Sequence, residues 1–345
     1  MCTDFLLVAG DGSFVNGRSM EFGQDLHTKI FVRGAGIAHA LAGHGGGETM
    51  TTTPKYGYVG MSGFGLPVVC DGINVKGLSA GALWLPGSKY QARGTSPNTQ
   101  NVYMIFFVDW LLGHCATVAD VKAAFAADAV RVIGDSFMSK IGPLHFPVHD
   151  ASGASLVIEF VDGEAKLYDN QVRVLTNLPT FPWQVANLGL YAHLTPWDTD
   201  KVTLGALTLH APGAASGNPG IPGHGSGLAG IPGNYQPASR FVRTAYMKEF
   251  ALPPATADEA VAQAFHLLNG VDIVKGAARA KTLLHTEYDI TQWIVVKDLK
   301  NLRLFVRMYD SPLVYSVDLR TIDFPATKSR QIPIPTGQLA IPIAV

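Results

Sequence analysis

Charge is scarce in this sequence. Only 15% of the 345 residues are Asp, Glu, Lys or Arg, against about 25% in an average globular chain. The 26 basic and 27 acidic residues leave a net charge of −1. No basic surplus exists to neutralise phosphates, so a nucleic-acid partner is not expected. Cysteine is scarcer still. Cys2, Cys70 and Cys115 are the whole set and none belongs to a CxxC pair, which excludes a disulfide framework. Long apolar runs are also missing. The strongest, Val102 to Leu112, carries Asp109 and is too short to cross a bilayer. The start, Met1-Cys2-Thr3-Asp4-Phe5, has no basic region followed by an apolar one. No secretory signal is therefore expected, which points to the cytoplasm, or to the periplasm if a leader was trimmed.

Apolar residues are plentiful, at 47%, which excludes a disordered chain. With 37 Gly and 21 Pro and no triplet period, neither a coiled coil nor a collagen fits. No internal repeat is visible. The length suits two domains or one large α+β domain. Strands are predicted at Phe5 to Ala9, Phe14 to Phe22, Lys29 to Arg33, Tyr56 to Met61, Val68 to Asn74 and Gly77 to Leu85. Turns fall at Asp11-Gly12-Ser13, and a turn or bulge at Asp71-Gly72. Helices are predicted over Asn101 to Leu112 and Val118 to Ala127, the second with a partial Thr117/Asp120 capping box. Strands return from His145 to Tyr168, and a helix starts near Pro182. Two more helices run over Ala238 to Phe250 and Ala257 to Leu268, the latter with a Thr256/Glu259 capping box. A hairpin over Thr291 to Asp318 turns at Asp298 to Asn301. Strands joined by tight turns, interleaved with clustered helices, give a layered α+β architecture rather than a doubly wound one.

Several motifs dissolve on inspection. Gly77-Leu78-Ser79-Ala80-Gly81 matches GxSxG, and His44-Gly45-Gly46-Gly47 resembles an esterase oxyanion loop. The elbow needs a helix after the serine, and Leu85-Pro86 ends the segment extended instead. A Gly-rich strand with close backbone approach is preferred. Gly225 to Gly230 reads GxGxxG but follows a Gly/Pro loop rather than a strand. His145 and His149, four apart on a strand, lie roughly 13 Å apart, too far for one zinc ion. Both are expected to be ordinary surface or half-buried histidines.

Cys2 is the most informative residue. If the initiator Met is removed, its thiol stands beside a free α-amine whose pKa is about 7.7–8.0. A nucleophile and a base on one residue form a self-contained catalytic unit. The competing reading is an incidental second residue.

The opening Met1-Cys2-Thr3, then Asn16-Gly17-Arg18-Ser19-Met20-Glu21-Phe22, resembles the choloylglycine hydrolase family, which includes bile salt hydrolases and penicillin V acylases. The resemblance continues at Asp71 to Leu78, Leu83 to Gly87, Val174 to Phe181 with Trp183-Gln184, Ile231 to Gly233, Ser239 to Arg243, Tyr309-Asp310 and Val317 to Leu319. These blocks keep the family order over nearly the whole chain. The resemblance implies the four-layer αββα sandwich of the N-terminal-nucleophile hydrolases, as one domain over residues 2–345, with a loop-rich assembly excursion at about 188–234. It implies hydrolysis of a linear amide without metal or organic cofactor, in a bacterial homotetramer. Cys2 would be the nucleophile, Arg18 the cation beside the thiol and Asn177 an oxyanion donor. Arg240 would be a second site arginine. Glu21 stands where the family usually has Asp to hold the α-amine. Trp84 replaces an Asn common in bile salt hydrolases, and its backbone N–H would serve the oxyanion. Aromatic residues there, Trp included, occur in Gram-negative penicillin V acylases. Trp84 and Phe22 would then wall an acyl pocket, favouring a penicillin V or acyl-homoserine lactone acylase over a conjugated bile salt hydrolase. A non-catalytic binding relative would follow if Met1 stays on.

Overall fold

The computed structural model describes residues 1–42, 49–134, 142–198, 201–210, 225–281, 286–337, 339–341 and 343. The first strand, Cys2–Val8, runs antiparallel to Phe14–Phe22, with Cys2 opposite Met20 and Val8 opposite Phe14. The turn between them is the expected one. Gly12 takes a φ of +75°, and the Ser13 N–H donates to Asp11 Oδ1 at 2.9 Å. Thr286–Asp298 pairs along the other edge of Phe14–Phe22 and continues into Arg303–Met308 and Tyr315–Asp318. The turn at Asp298 to Asn301 is held by the Asn301 N–H on Asp298 Oδ1, as an Asx turn. Val174–Leu175 and Ala278–Lys281 complete a seven-stranded antiparallel sheet.

The second sheet has nine strands. Its spatial order is Glu164–Asp169, Ser155–Val161, Leu144–His149, Ser79–Gly81, Val69–Asn74, Tyr58–Ser62, Ile30–Arg33 and Arg330–Ile332, with Leu83–Trp84 added beside Leu144–His149. The sheets face each other, and side chains from both meet in one core. Helices Pro237–Phe250 and Ala257–Asn269 cover the first sheet, and Phe107–His114 covers the second. This is the four-layer αββα sandwich.

Covering both sheets on both faces explains the sequence pattern. Cys2 through Leu7 are all buried, so the strand does not alternate as a one-sided strand would. Helix Ala257–Asn269 buries Ala257, Ala260, Ala264 and Leu268, a stripe at helical spacing that is mostly alanine and permits close approach to the sheet. Phe106, Phe107, Phe146 and Phe160 build the core between the second sheet and its helix. Each fully buried ring of this kind contributes roughly 1.5–3 kcal/mol.

Some expectations are corrected. Asn101 to Leu112 is not one helix. Gln100–Tyr103 is a strand parallel to Val130–Ile133, a 3₁₀ turn follows, and the helix spans Phe107–His114. An all-apolar run does not distinguish a buried strand from a buried helix. The Thr117/Asp120 capping box is complete. In the Thr256/Glu259 pair Thr256 caps Glu259 N–H, but the Glu259 carboxylate takes the Ala255 N–H instead of that of Thr256. Asp71-Gly72 lies within strand Val69–Asn74. The bulge falls one residue earlier, at Cys70, where the register against Met61 and Ser62 shifts. Gly77 to Leu85 divides into Ser79–Gly81 and Leu83–Trp84. Ser79 is a buried strand residue donating to Asn16 Oδ1 at 2.8 Å, with no helix after it, as the strand reading required. The His44 to Gly47 run lies outside the described residues, as do 199–200 and 211–224 of the Gly/Pro excursion. Among the described residues no single helix is long and apolar enough to cross a membrane.

Candidate active site

Cys2 opens the first strand, at the end of the sandwich where both sheets meet a cavity of about 600 Å³. Hairpin pairing puts Asp4 opposite Arg18 and Cys2 opposite Met20. Alternation then turns Cys2, Asp4, Arg18 and Met20 to one face, towards the second sheet. Cys2 Sγ lies 3.7 Å from Arg18 Nη2 and 3.7 Å from Met20 Sδ.

The Arg18 guanidinium is fully buried and heavily bonded. Nη1 donates to Cys70 O at 2.6 Å and Asp71 Oδ2 at 3.0 Å, and Nη2 donates to Ala82 O at 2.5 Å. The bulge at Cys70 turns that carbonyl to the arginine. Burial disfavours the charged guanidinium, but Asp71 and the Cys2 and Cys70 thiols outweigh it and raise its pKa further. Gly81 makes room for this arrangement. A Cβ there would sit 2.7 Å from Asp71 Oδ2 and 2.9 Å from Arg18 Nη1.

Arg240 reaches Cys2 from the helix layer. Its Nη1 donates to Cys2 O and Thr3 Oγ1, and its Nη2 to Asn177 Oδ1 at 2.7 Å. Burial pushes its pKa down, and Glu21 and Cys2 oppose that. Asn177 Oδ1 also accepts the Cys2 backbone N–H at 2.9 Å, while Nδ2 donates to Trp84 O at 2.7 Å. Two donors on the oxygen settle which end of the amide is which.

Glu21 is buried with one oxygen accepting from Thr291 Oγ1 at 3.2 Å and the other unpartnered. Burial raises its pKa, against Arg240 and the terminal amine. Met1 occupies the adjoining space: its amine donates to Glu21 O and its carbonyl accepts the Glu21 N–H at 2.9 Å. Trp84 is 40% exposed while Leu83 and Leu85 are buried, and it lines the cavity with Phe22, Met20, Leu66 and Ile105. Phe22 meets Phe64 edge to face at 5.7 Å.

All seven residues singled out from the sequence (Cys2, Arg18, Glu21, Phe22, Trp84, Asn177 and Arg240) thus belong to one neighbourhood. Sequence reasoning gave no role to Asp71, Thr291 or Lys297, although an Asp within an apolar strand was a usable signal. It also misjudged two histidines. His145 and His149 are fully buried: His145 pairs with Glu159 at 3.1 Å and His149 with Asp4 at 2.7 Å. Their strand lies between covered faces, which the local sequence does not reveal. Cys70 and Cys115 have thiols pushed up to about 12, chiefly by burial. Among the described residues no three His, Cys, Asp or Glu side chains converge to hold a metal ion.

A buried thiol beside a guanidinium, an oriented amide and an apolar cavity suit acyl transfer. The comparisons agree. The family described as linear amide C–N hydrolases, choloylglycine hydrolase family, matches residues 2–330. The chain belongs to this family and is an amidohydrolase acting on linear amides. It is 28% identical over 321 residues to a bile salt hydrolase/transferase of Clostridium perfringens, covering 92% of each chain. It is 25% identical over 329 residues to a penicillin V acylase of Pectobacterium atrosepticum, covering 90% of this chain and 78% of that one. The crystal structure of the C2A mutant conjugated bile acid hydrolase from Clostridium perfringens superposes with a TM-score of 0.84 at 27% identity, covering all of both chains. Overall identity therefore does not draw the chain towards the acylase.

Proposed function

We propose that Cys2, freed by removal of Met1, is the nucleophile of an amidase acting on amides with a bulky apolar acyl group. The Cys2 thiolate attacks the carbonyl carbon, and the oxyanion is met by the Trp84 N–H and by the Asn177 Nδ2 hydrogen not given to Trp84 O. The tetrahedral adduct collapses, expelling the amine with a proton from the Cys2 α-ammonium. Water, deprotonated by the now neutral Cys2 α-amine, then cleaves the thioester and releases the Cys2 thiolate. Arg18 stabilises the thiolate. Arg240 holds Asn177 and the Cys2 carbonyl. The unpartnered Glu21 oxygen supports a role in receiving the α-ammonium once Met1 has gone.

Trp84 carries the substrate reading, because it shares one cavity with Cys2 and Phe22. An aryl- or alkyl-acyl amide, such as penicillin V or an acyl-homoserine lactone, fits an aromatic wall. A conjugated bile salt is the second reading, favoured by the similarity to bile salt hydrolases and by the cavity volume. Hydrolysis of penicillin V, a glycine-conjugated bile salt and an acyl-homoserine lactone by a preparation of known intact mass tests this. Turnover of the bile salt alone would overturn the first reading.

A homotetramer is also proposed. The hairpin Lys201–Leu204/Leu207–His210 projects Val202, Leu204, Leu207 and Leu209 into solvent, which supports a subunit contact. A monomeric mass by light scattering would oppose it.

A further inference from the structure

We infer that Lys297 is a positioning residue for the nucleophile, acting on Cys2 through Asp71 and Arg18; this rests on Cys2 being the nucleophile. Lys297 lies on strand Thr286–Asp298 opposite Asn16, and Val295 on the same strand lies opposite Arg18. Its ammonium reaches Asp71 Oδ1 at 2.5 Å, while Asp71 Oδ2 is 3.0 Å from Arg18 Nη1. All three side chains are fully buried.

The charge balance gives the role. Arg18 and Asp71 alone form a neutral pair, and at Cys2 the carboxylate would offset much of the guanidinium field. Lys297 shares that carboxylate, so the triad carries one net positive charge next to the thiol. A buried carboxylate between two cations is a costly arrangement for stability alone. Burial pulls the Lys297 pKa down, and Asp71 and Asp4 oppose it by holding the proton on. Asp4 itself is occupied by His149 Nε2 at 2.7 Å and Asn16 Nδ2 at 2.9 Å.

The other charged and titratable groups around Cys2 are Glu21 on strand Phe14–Phe22, Arg240 on helix Pro237–Phe250, Cys70 on strand Val69–Asn74, and the terminal amine. None of them is hydrogen-bonded to Lys297, and of them only Cys70, beside Asp71 on its strand, feels that carboxylate.

The test is the pH dependence of iodoacetamide alkylation at Cys2, read on the Cys2 peptide by mass spectrometry. Lys297→Met leaves Asp71 to offset Arg18 alone, removing the triad's net positive charge, and should raise the apparent thiol pKa by about one unit. Asp71→Asn should lower it. The double variant keeps the single net positive charge of the wild-type triad, now on Arg18 alone, and should return close to wild type. Shifts of the same sign in both single variants, or none in Lys297→Met, would overturn the inference. Should Lys297→Met fail to fold, adding it to Asp71→Asn must still raise the pKa; no rise is equally fatal. Alkylation is readable whether or not Cys2 turns over substrate. Loss of wild-type hydrolysis on Cys2 alkylation tests the nucleophile separately.

Discussion

The side chain of Asn177 donates to the backbone carbonyl of Trp84 at 2.7 Å, so the two candidate oxyanion donors are fixed to each other. Trp84 belongs to the second sheet and Asn177 follows a strand of the first. The proposed oxyanion site therefore straddles the sandwich and would be assembled only when both sheets have packed.

Asn177→Ala should lower kcat by about 10²–10³-fold with a smaller change in KM. Steady-state kinetics on the best amide in the panel checks this. A change confined to KM would remove Asn177 from the oxyanion.

Gly81→Ala should push Arg18 and Asp71 apart, because the added Cβ falls within 3 Å of both. Overpacking of this kind costs about 1–3 kcal/mol. Urea denaturation should show the loss, and Cys2 alkylation at neutral pH should slow with it. Unchanged alkylation would mean that Arg18 does not set the thiol.

Trp84→Asn should weaken hydrolysis of penicillin V or an acyl-homoserine lactone by about 10- to 200-fold. The melting temperature and Cys2 alkylation should stay as in the wild type. Equal loss on every amide would make Trp84 structural.

The hairpin of Cys2–Val8 and Phe14–Phe22 was legible because its turn is closed locally: the Ala9 N–H donates to Ser13 O and the Ser13 N–H to Asp11 Oδ1, with Gly12 at positive φ. The place of Trp84 beside the cavity followed from the family resemblance, not from its local run Leu83-Trp84-Leu85. What was not legible depends on partners far along the chain. Lys297 reads as a polar residue near a turn, yet 226 residues separate it from Asp71. His149 reads as an ordinary surface or half-buried histidine until Asp4 is seen across the sandwich. The bulge at Cys70 likewise has no local signal beyond the neighbouring Asp71-Gly72.

Asp4 supplies a pH prediction. Burial raises its pKa, but His149, Lys297 and Asn16 outweigh this and hold it below the ordinary value. A carboxylate with a depressed native pKa contributes stability above its unfolded pKa and loses it as pH falls through the native one. Asp4→Asn should therefore be less stable than wild type at neutral pH, with the gap closing below about pH 4. Urea denaturation across pH measures it. A gap that does not change with pH would contradict the ionised Asp4.

Cys2 is proposed to work as an N-terminal residue. Intact mass and amide hydrolysis should be measured on one preparation, before and after an aminopeptidase removes Met1. Hydrolysis should rise in proportion to the fraction beginning at Cys2, and Cys2→Ala should be inactive in both forms. Full hydrolysis by protein that retains Met1 would contradict it.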